Sequence, residues 1–388
     1  MSTESPVIPD VVELLHDMVA IDTTNPGGDE AGAADLLAGL FARHGLDTAV
    51  DQFDPEHANI AATASFGTGG PTIVLNSHLD VVPAVGDWTT PAFAPEIRDG
   101  RMYGRGSADA KGSLAAMAVA VLRLVRADDT DGFCGTIKYT AVGDEEVGSR
   151  GARHLLASAD GIDGAIIGEP TGLRLLSAHK GSVRPVIEIK GRAAHAAAPE
   201  KGLNAIHAAA PLLALLNDYA AELSTRVHPL TGAPTAVPVL IHGGEAPNAV
   251  PERCRITVDR RLVPGETAST ALFEIESLLA KFNADQAPFT ATIAECAPST
   301  GGPSQTPDTS PFVATCRKAL EDVHADSSLG GLIVNCDMTH FRAAGIPTVV
   351  IGPGELEAMH VCDESIQLDE LRRAVDVYEA ILRRFMTP

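Results

Sequence analysis

Two histidines and several carboxylates stand where strand-like patterns of this chain give way to turns, and residues of these types can bind metal. Ile73-Val74-Leu75 runs into Asn76-Ser77-His78-Leu79-Asp80, and the apolar run 137–142 is followed by Gly143-Asp144-Glu145-Glu146. Ala165-Ile166-Ile167 leads to Gly168-Glu169-Pro170, and Val349-Val350-Ile351 leads through Gly352-Pro353-Gly354 to His360. A further carboxylate, Asp109, closes Tyr103-Gly104-Arg105-Gly106-Ser107-Ala108-Asp109 just before a helical pattern. Imidazole mixed with carboxylate is a ligand set for zinc and, less exclusively, for cobalt or manganese. A catalytic zinc takes about three protein ligands and keeps a position for water. Two metals sharing one bridging carboxylate would use five ligands, which matches His78, Asp109, Glu146, Glu169 and His360.

Taken singly, each of these residues has a plainer reading. A histidine at a strand end is more often packed or solvated than metal-bound. Asp109 could cap the helix that follows it, and Glu145-Glu146 alone would be a charged loop. What sets the bland readings aside is their conjunction. In an open parallel sheet, ligands bind beyond the carboxyl ends of the strands, and here strand after strand delivers a His or a Glu at that end.

The elements needed to hold them there are legible. Two amphipathic helical stretches cover 11–44 around the turn Asn25-Pro26-Gly27-Gly28. Strands are expected at 72–76, 136–142 and 165–167, and helices at 113–125 and 152–157. After Gly181 the texture changes to alternating strands (183–189, 254–258) and helices (206–223, 267–282). From about Pro311 the first texture returns, with a helix at 312–323 and the apolar strand before Gly352. The expected architecture is α/β: a mostly parallel sheet with helices on both faces, built from 1–180 and 296–388 and interrupted by an inserted α+β domain over 181–295.

Composition narrows the partners. The 388 residues carry a formal net charge of −22, which argues against nucleic acid and anionic membranes, since phosphate binding needs clustered Lys and Arg. The first residues lack the basic and apolar regions of a signal peptide, and no apolar run is long enough to span a bilayer. Six cysteines without CxxC spacing read as free thiols of a cytoplasmic protein. The stretch GRGSADAKGS has Lys111-Gly112-Ser113 where a phosphate loop needs Gly-Lys-Ser/Thr, and Asp109 where a dinucleotide fingerprint needs glycine, so neither motif is met.

With these residues in view, the chain resembles the zinc-dependent M20 amidohydrolases and peptidases. The matching stretches are SHLDVVP (77–83), YGRGSADAKGSLAA (103–116), GDEEVGS (143–149), GEP (168–170), GRAAHAAAP (191–199), Asp259-x-Arg261-x-x-Pro264-Gly265 and GIPTVVIGPG…H…DE (345–364). The resemblance implies two divalent metals, with His78 and Glu169 on one, Glu146 and His360 on the other, and Asp109 bridging. It implies Asp80 as the partner orienting the His78 ring, Glu145 as the general base, and a cis peptide at Asp109–Ala110. Neighbouring side chains at a strand end point in opposite directions, so Glu145 and Glu146 can take separate tasks.

The inserted domain then corresponds to a lid and dimerisation domain. His195 would stabilise the oxyanion from the partner subunit of a homodimer, Asn248 would lie beside the substrate, and Arg261 would clamp a substrate carboxylate. The implied activity is hydrolysis of the amide bond of an N-acyl amino acid, as an acetylornithine deacetylase does. The alternatives are a dipeptidase or carboxypeptidase using the same metals on a short peptide, and a non-catalytic binding relative. Every expected catalytic position is filled, which disfavours the last. Leu332 and Ile333 stand where the desuccinylase branch of the family has polar residues.

Overall fold

The computed structural model describes residues 6–157 and 160–387. Its α/β fold combines a large, mostly parallel sheet with a separate antiparallel one. The centre of the large sheet runs Asn59–Phe66, Gly135–Val142, Thr72–His78, Gly164–Ile167, Thr348–Val350. Thr72–His78 is parallel to both of its neighbours, and Thr348–Val350 is parallel to Gly164–Ile167. The register sets His78 opposite Val142, Asn76 opposite Ile167, and Ile167 opposite Val350. The four strands therefore finish within two residues of one another, and the residues after them share one edge.

Burial on both faces explains why these strands are so apolar. Ile73, Leu75, Ile137 and Tyr139 pack into a core with the helices Lys111–Arg126 and Leu368–Met386. Lys111–Arg126 is buried without a break from Lys111 to Leu122, the mark of a helix covered on all sides. Tyr139 Oη donates to Leu114 O at 3.2 Å, and Tyr378 Oη donates to Ile351 O at 2.7 Å, so both buried hydroxyls are satisfied. On the other face, Asn76 donates to Asp337 Oδ2 at 3.2 Å, and Asp337 begins the short helix Met338–Ala343. The amino-terminal helices Val11–Val19 and Glu30–Arg43 start on Asp10 and Asp29, whose side chains accept main-chain N–H groups of their first turns.

The chain forms two compact units. One comprises the chain up to Ala178 with Gln305–Leu332 and the segment from Cys336 onward; the other comprises His179–Ser304 with Ile333–Asn335. In the second, Thr235–Gly243, Arg253–Leu262, Gly181–Lys190 and Thr290–Ala297 make an antiparallel sheet in that order. Arg253–Leu262 alternates buried and half-exposed residues. Its inward side chains Ile256 and Val258 meet Leu212, Leu216, Ile275 and Phe282 of the helices Ala205–Leu223 and Ala268–Asp285.

Three features depart from the sequence-based expectations. Asn59–Phe66 is a strand although it is rich in alanine, a weak strand former; pairing with Gly135–Val142 decides it. Thr235–Gly243 is a strand despite Pro238, which is tolerated because this is an edge strand with a register shift beside the proline. Finally, Glu145 and Glu146 are not on a pleated strand end. The strand stops at Val142 and Asp144 turns the chain with φ 62°, so the two side chains diverge through a turn rather than through strand alternation. Among the described residues no helix is long and apolar enough to cross a membrane.

Phe312 is a test of the core behind the site. Its ring fills the space over Gly164, where an added Cβ would lie 2.4 Å from it, and it meets Phe385 edge-on at 5.5 Å. Phe312→Ala should lower the unfolding free energy by about 3–5 kcal/mol, read as a shift of the urea midpoint at unchanged slope. A loss below ~1 kcal/mol would show that the helix Pro311–Asp322 does not depend on this contact.

Candidate metal centre

The aligned strand ends gather the expected residues of the first unit. His78 Nε2 lies 3.3 Å from Asp109 Oδ1 and 4.0 Å from Glu169 Oε2. His360 Nε2 lies 3.1 Å from Asp109 Oδ2 and 3.2 Å from Glu146 Oε2. One ligand atom each of His78, Asp109 and Glu146 falls within a span of 4.8 Å, close enough to hold a metal ion. Asp109 does not cap the following helix: the cap position is Ala110, without a side-chain hydrogen bond, and the Asp109–Ala110 peptide is cis. The helix-cap reading of Asp109 is thereby excluded, and its carboxylate stays between the two imidazoles.

Asp80 acts through different atoms from those expected. The His78 ring is held at Nδ1 by the main-chain carbonyl of Asp80 at 2.8 Å, while the nearest carboxylate oxygen is 3.8 Å away. The Asp80 carboxylate instead accepts the main-chain N–H of Glu145 at 3.0 Å and of Glu146 at 3.1 Å. One residue thus orients the ring on one side and fixes the Glu145-Glu146 turn on the other.

Glu364 plays the matching part beneath Asp109, and its contacts were not foreseen. Its Oε1 accepts the N–H of Ala108 at 2.9 Å and of Asp109 at 3.0 Å. Its Oε2 takes Arg105 at 2.6 Å, both side chains being buried. The sequence signal was only the Asp-Glu pair at the end of the last motif. Asp337, also missed, is buried behind the cluster on the Asn76 amide.

The electrostatics call for a cation. Asp109, Glu145, Glu146 and Glu169 crowd together with two imidazoles to balance them. Burial pushes the Glu145 and Glu169 carboxyls well above the usual range; the charge of Glu169 adds to this at Glu145, and that of Asp109 at Glu169. Burial and the Asp109 charge push Glu146 up to about 7. Burial would raise Asp109 too, but the His360 and His78 imidazoles outweigh it and hold the carboxyl below its ordinary value. Asp109 and Glu146 raise His360 to about 10, and His78 stands well above 6.5 because Asp109 and Glu169 outweigh its burial. Asp109 Oδ2 is buried and accepts no hydrogen bond despite the nearby imidazole. An orphaned buried oxygen inside a nitrogen–oxygen donor set fits a divalent metal of the zinc class.

The expected substrate-side residues lie in the second unit. Ala194–His195 pairs with Ala249–Val250, and Ala196 N donates to Asn248 O at 2.8 Å, so His195 and Asn248 are brought together. His195 is exposed, and its Nδ1 accepts from Ala197 N at 3.0 Å. Arg261 donates from Nε to Asp259 Oδ1 at 2.7 Å, while Arg184 takes the other oxygen at 2.9 Å. One carboxylate therefore faces two guanidinium groups.

Comparison with known proteins agrees with this geometry. The model of Peptidase family M20/M25/M40 matches residues 74–384. The chain belongs to that family. A probable succinyl-diaminopimelate desuccinylase of Staphylococcus epidermidis is 29% identical over 411 residues, 97% of this chain and 98% of the relative. An acetylornithine deacetylase of Salmonella heidelberg is 29% identical over 391 residues, 98% of each chain. Among solved structures, the Bacillus subtilis YXEP protein, described as a dinuclear metal binding peptidase from the M20 family, superposes with a TM-score of 0.75. It shares 14% identity over 97% of this chain and 98% of its own.

In this M20/M25/M40 family member, the raised histidines set the sign of a binding experiment. Without metal, the neighbouring carboxylates favour the protonated form of both imidazoles, and the imidazoles favour the ionised form of Asp109. Zinc uptake by these groups must then release protons, and affinity must rise with pH between about 6 and 8. Calorimetric titrations in buffers of different ionisation enthalpy should show that release. Proton-neutral, pH-independent binding would place the ion elsewhere.

Proposed function

We propose that this chain is a di-metal hydrolase that cleaves the amide bond of N-acyl amino acids with an activated water. The observation that carries the reading is the division of Asp109. Its Oδ1 faces His78, which also approaches Glu169, and its Oδ2 faces His360, which also approaches Glu146. That is the arrangement of a bridging carboxylate between two sites, His78 with Glu169 and His360 with Glu146. Zinc suits the donors best, with cobalt or manganese as substitutes. Bound at these residues, such cations supply Lewis-acid polarisation of the scissile carbonyl and lower the pKa of the attacking water.

The remaining work falls to the chain. Glu145 takes the proton of the attacking water and returns it to the leaving amine. Its burial and the charge of Glu169 raise its proton affinity, which suits a base that must release the proton again near neutral pH. Asp80 holds the Glu145 main chain and, through its carbonyl, the His78 ring. His195 of the partner subunit would donate to the developing oxyanion, with Asn248 at the substrate, and Arg261 would receive the α-carboxylate as a planar donor.

A homodimer through the second unit is supported by the edge strand Thr235–Gly243, which exposes Val237, Leu240 and Ile241; an uncovered apolar edge of this kind pairs readily with a second copy. Six free cysteines, two of them exposed, favour a cytoplasmic setting. The second reading, a dipeptidase or carboxypeptidase, draws on the YXEP likeness. Relatives named for desuccinylation and deacetylation are equally similar, which supports an amide beside an α-carboxylate as the substrate class.

A panel of N-acetyl, N-succinyl and N-formyl amino acids and dipeptides decides between the two readings. Activity should vanish with EDTA and return with zinc or cobalt; activity that survives complete metal removal would overturn the mechanism. Glu145→Gln should lower kcat by about 10²–10⁴-fold with metal content near wild type, whereas Glu146→Gln should lose metal first. Identical behaviour of the two variants would refute the division of roles.

A further inference from the structure

The turn that carries Glu145 and Glu146 is also held by a side chain from far earlier in the sequence. Residues 23–25 lie alongside 79–81. Thr23 Oγ1 donates to Leu79 O at 2.7 Å, Val81 N to Thr23 O at 3.1 Å, and Asn25 N to Val81 O at 2.9 Å. This pairing inserts the Asn25 amide, 6% exposed, between two buried carboxylates. Asn25 Nδ2 donates to Asp80 Oδ2 at 2.9 Å and to Asp144 Oδ1 at 3.1 Å. Both hydrogens of the amide are thereby used.

Each carboxylate grips a different part of the turn. Asp80 accepts the N–H groups of Glu145 and Glu146. Asp144 Oδ2 accepts Arg150 Nε at 2.8 Å and Arg150 N at 3.3 Å, where the next helix begins. On the far side His57 Nε2 comes to 3.8 Å from Asp144 Oδ1, and its Nδ1 is bonded to Glu30 Oε1 at 2.7 Å.

We propose that Asn25 is a positioning residue for this turn, its amide joining the two carboxylate clamps and so setting where the Glu145 and Glu146 side chains stand. The inference rests on the reading of Glu145 as base and Glu146 as ligand. Asn25 touches neither; it acts through Asp80 and Asp144. Without its two N–H groups, two buried carboxylates would face each other across the gap, with His57 near only one of them. Buried carboxylates that lose their donors are costly. Asp80 would rotate, and its grip on the Glu145 and Glu146 N–H groups would slacken. Asparagine is the residue that fits, because aspartate of the same shape brings acceptors where donors are required.

The experiment compares Asn25→Asp with Asn25→Ser, which keeps one donor, and with Thr306→Val as a control for lost stability. Thr306 Oγ1 donates to Thr348 O at 2.6 Å, at the opposite end of its strand from the metal cluster. Zinc affinity is read by chelator competition, and kcat and KM on the best substrate of the panel. Asn25→Asp should weaken zinc binding and lower kcat, each by about 10–100-fold, with KM changed much less. Asn25→Ser should show the same pattern more mildly, and it carries the test if Asn25→Asp does not fold. Thr306→Val should lower Tm while leaving zinc affinity and kcat near wild type. Asn25 variants that lose Tm as the control does, yet keep zinc affinity and kcat within about twofold, would overturn the proposal, being far below the effect expected of a ligand-supporting residue. Failure of the wild type on every substrate would refute the proposed reaction, and zinc affinity would still decide the role of Asn25.

Discussion

Concentrating carboxylates away from water is the constraint on which this structure turns. Asp109, Glu145, Glu146 and Glu169 lie within reach of one another at a sheet edge, and an ionised carboxylate in a low-dielectric site is unfavourable unless it is paired. Two imidazoles offset part of the charge. The protein's own groups offer Asp109 Oδ2 only the His360 imidazole, 3.1 Å away and without a well-formed hydrogen bond, and push three of the four carboxyls upward in pKa. A compact positive ion would offset the charge that the two imidazoles leave.

The fold answers the constraint by keeping the charged side chains off flexible supports. Three strand ends stop within two residues of one another because parallel pairing fixes their register, so His78, the Glu145-Glu146 turn and Glu169 converge without a long loop. Buried acids then do the work of backbone clamps. Asp80 holds the N–H groups of Glu145 and Glu146, and Glu364 holds those of Ala108 and Asp109. Spending a carboxylate on two N–H donors satisfies both partners, and it lets neighbouring carboxylates remain outward-facing toward a cation.

Reading the sequence succeeded where local chemistry and spacing carry the information and failed where distant contacts do. His78, Asp109, Glu146, Glu169 and His360 could be assembled because each follows a recognisable strand or precedes a recognisable helix. The contacts of Glu364 and Asn25 could not: Glu364 contacts residues about 255 positions earlier, and Asn25 spans 55 positions to Asp80 and 119 to Asp144. Asp80 was identified as a partner of His78, but the carbonyl, not the carboxylate, does the orienting. Local pattern cannot decide which end of a residue faces a ring.

By itself the sequence determined the strand-and-helix alternation, the change of texture near residue 180, and the family, because hydrophobic periodicity and short motifs are local properties. It also pointed to the side chains proposed here to carry metal-binding and acid–base chemistry. Tertiary structure alone decided the register that levels the strand ends, the turn rather than strand pleat that separates Glu145 from Glu146, and the assignment of each Asp109 oxygen to a different histidine. The physical reason is that hydrogen-bond register and buried charge balance are set by residues far apart in the chain, and they come into being only when those residues meet.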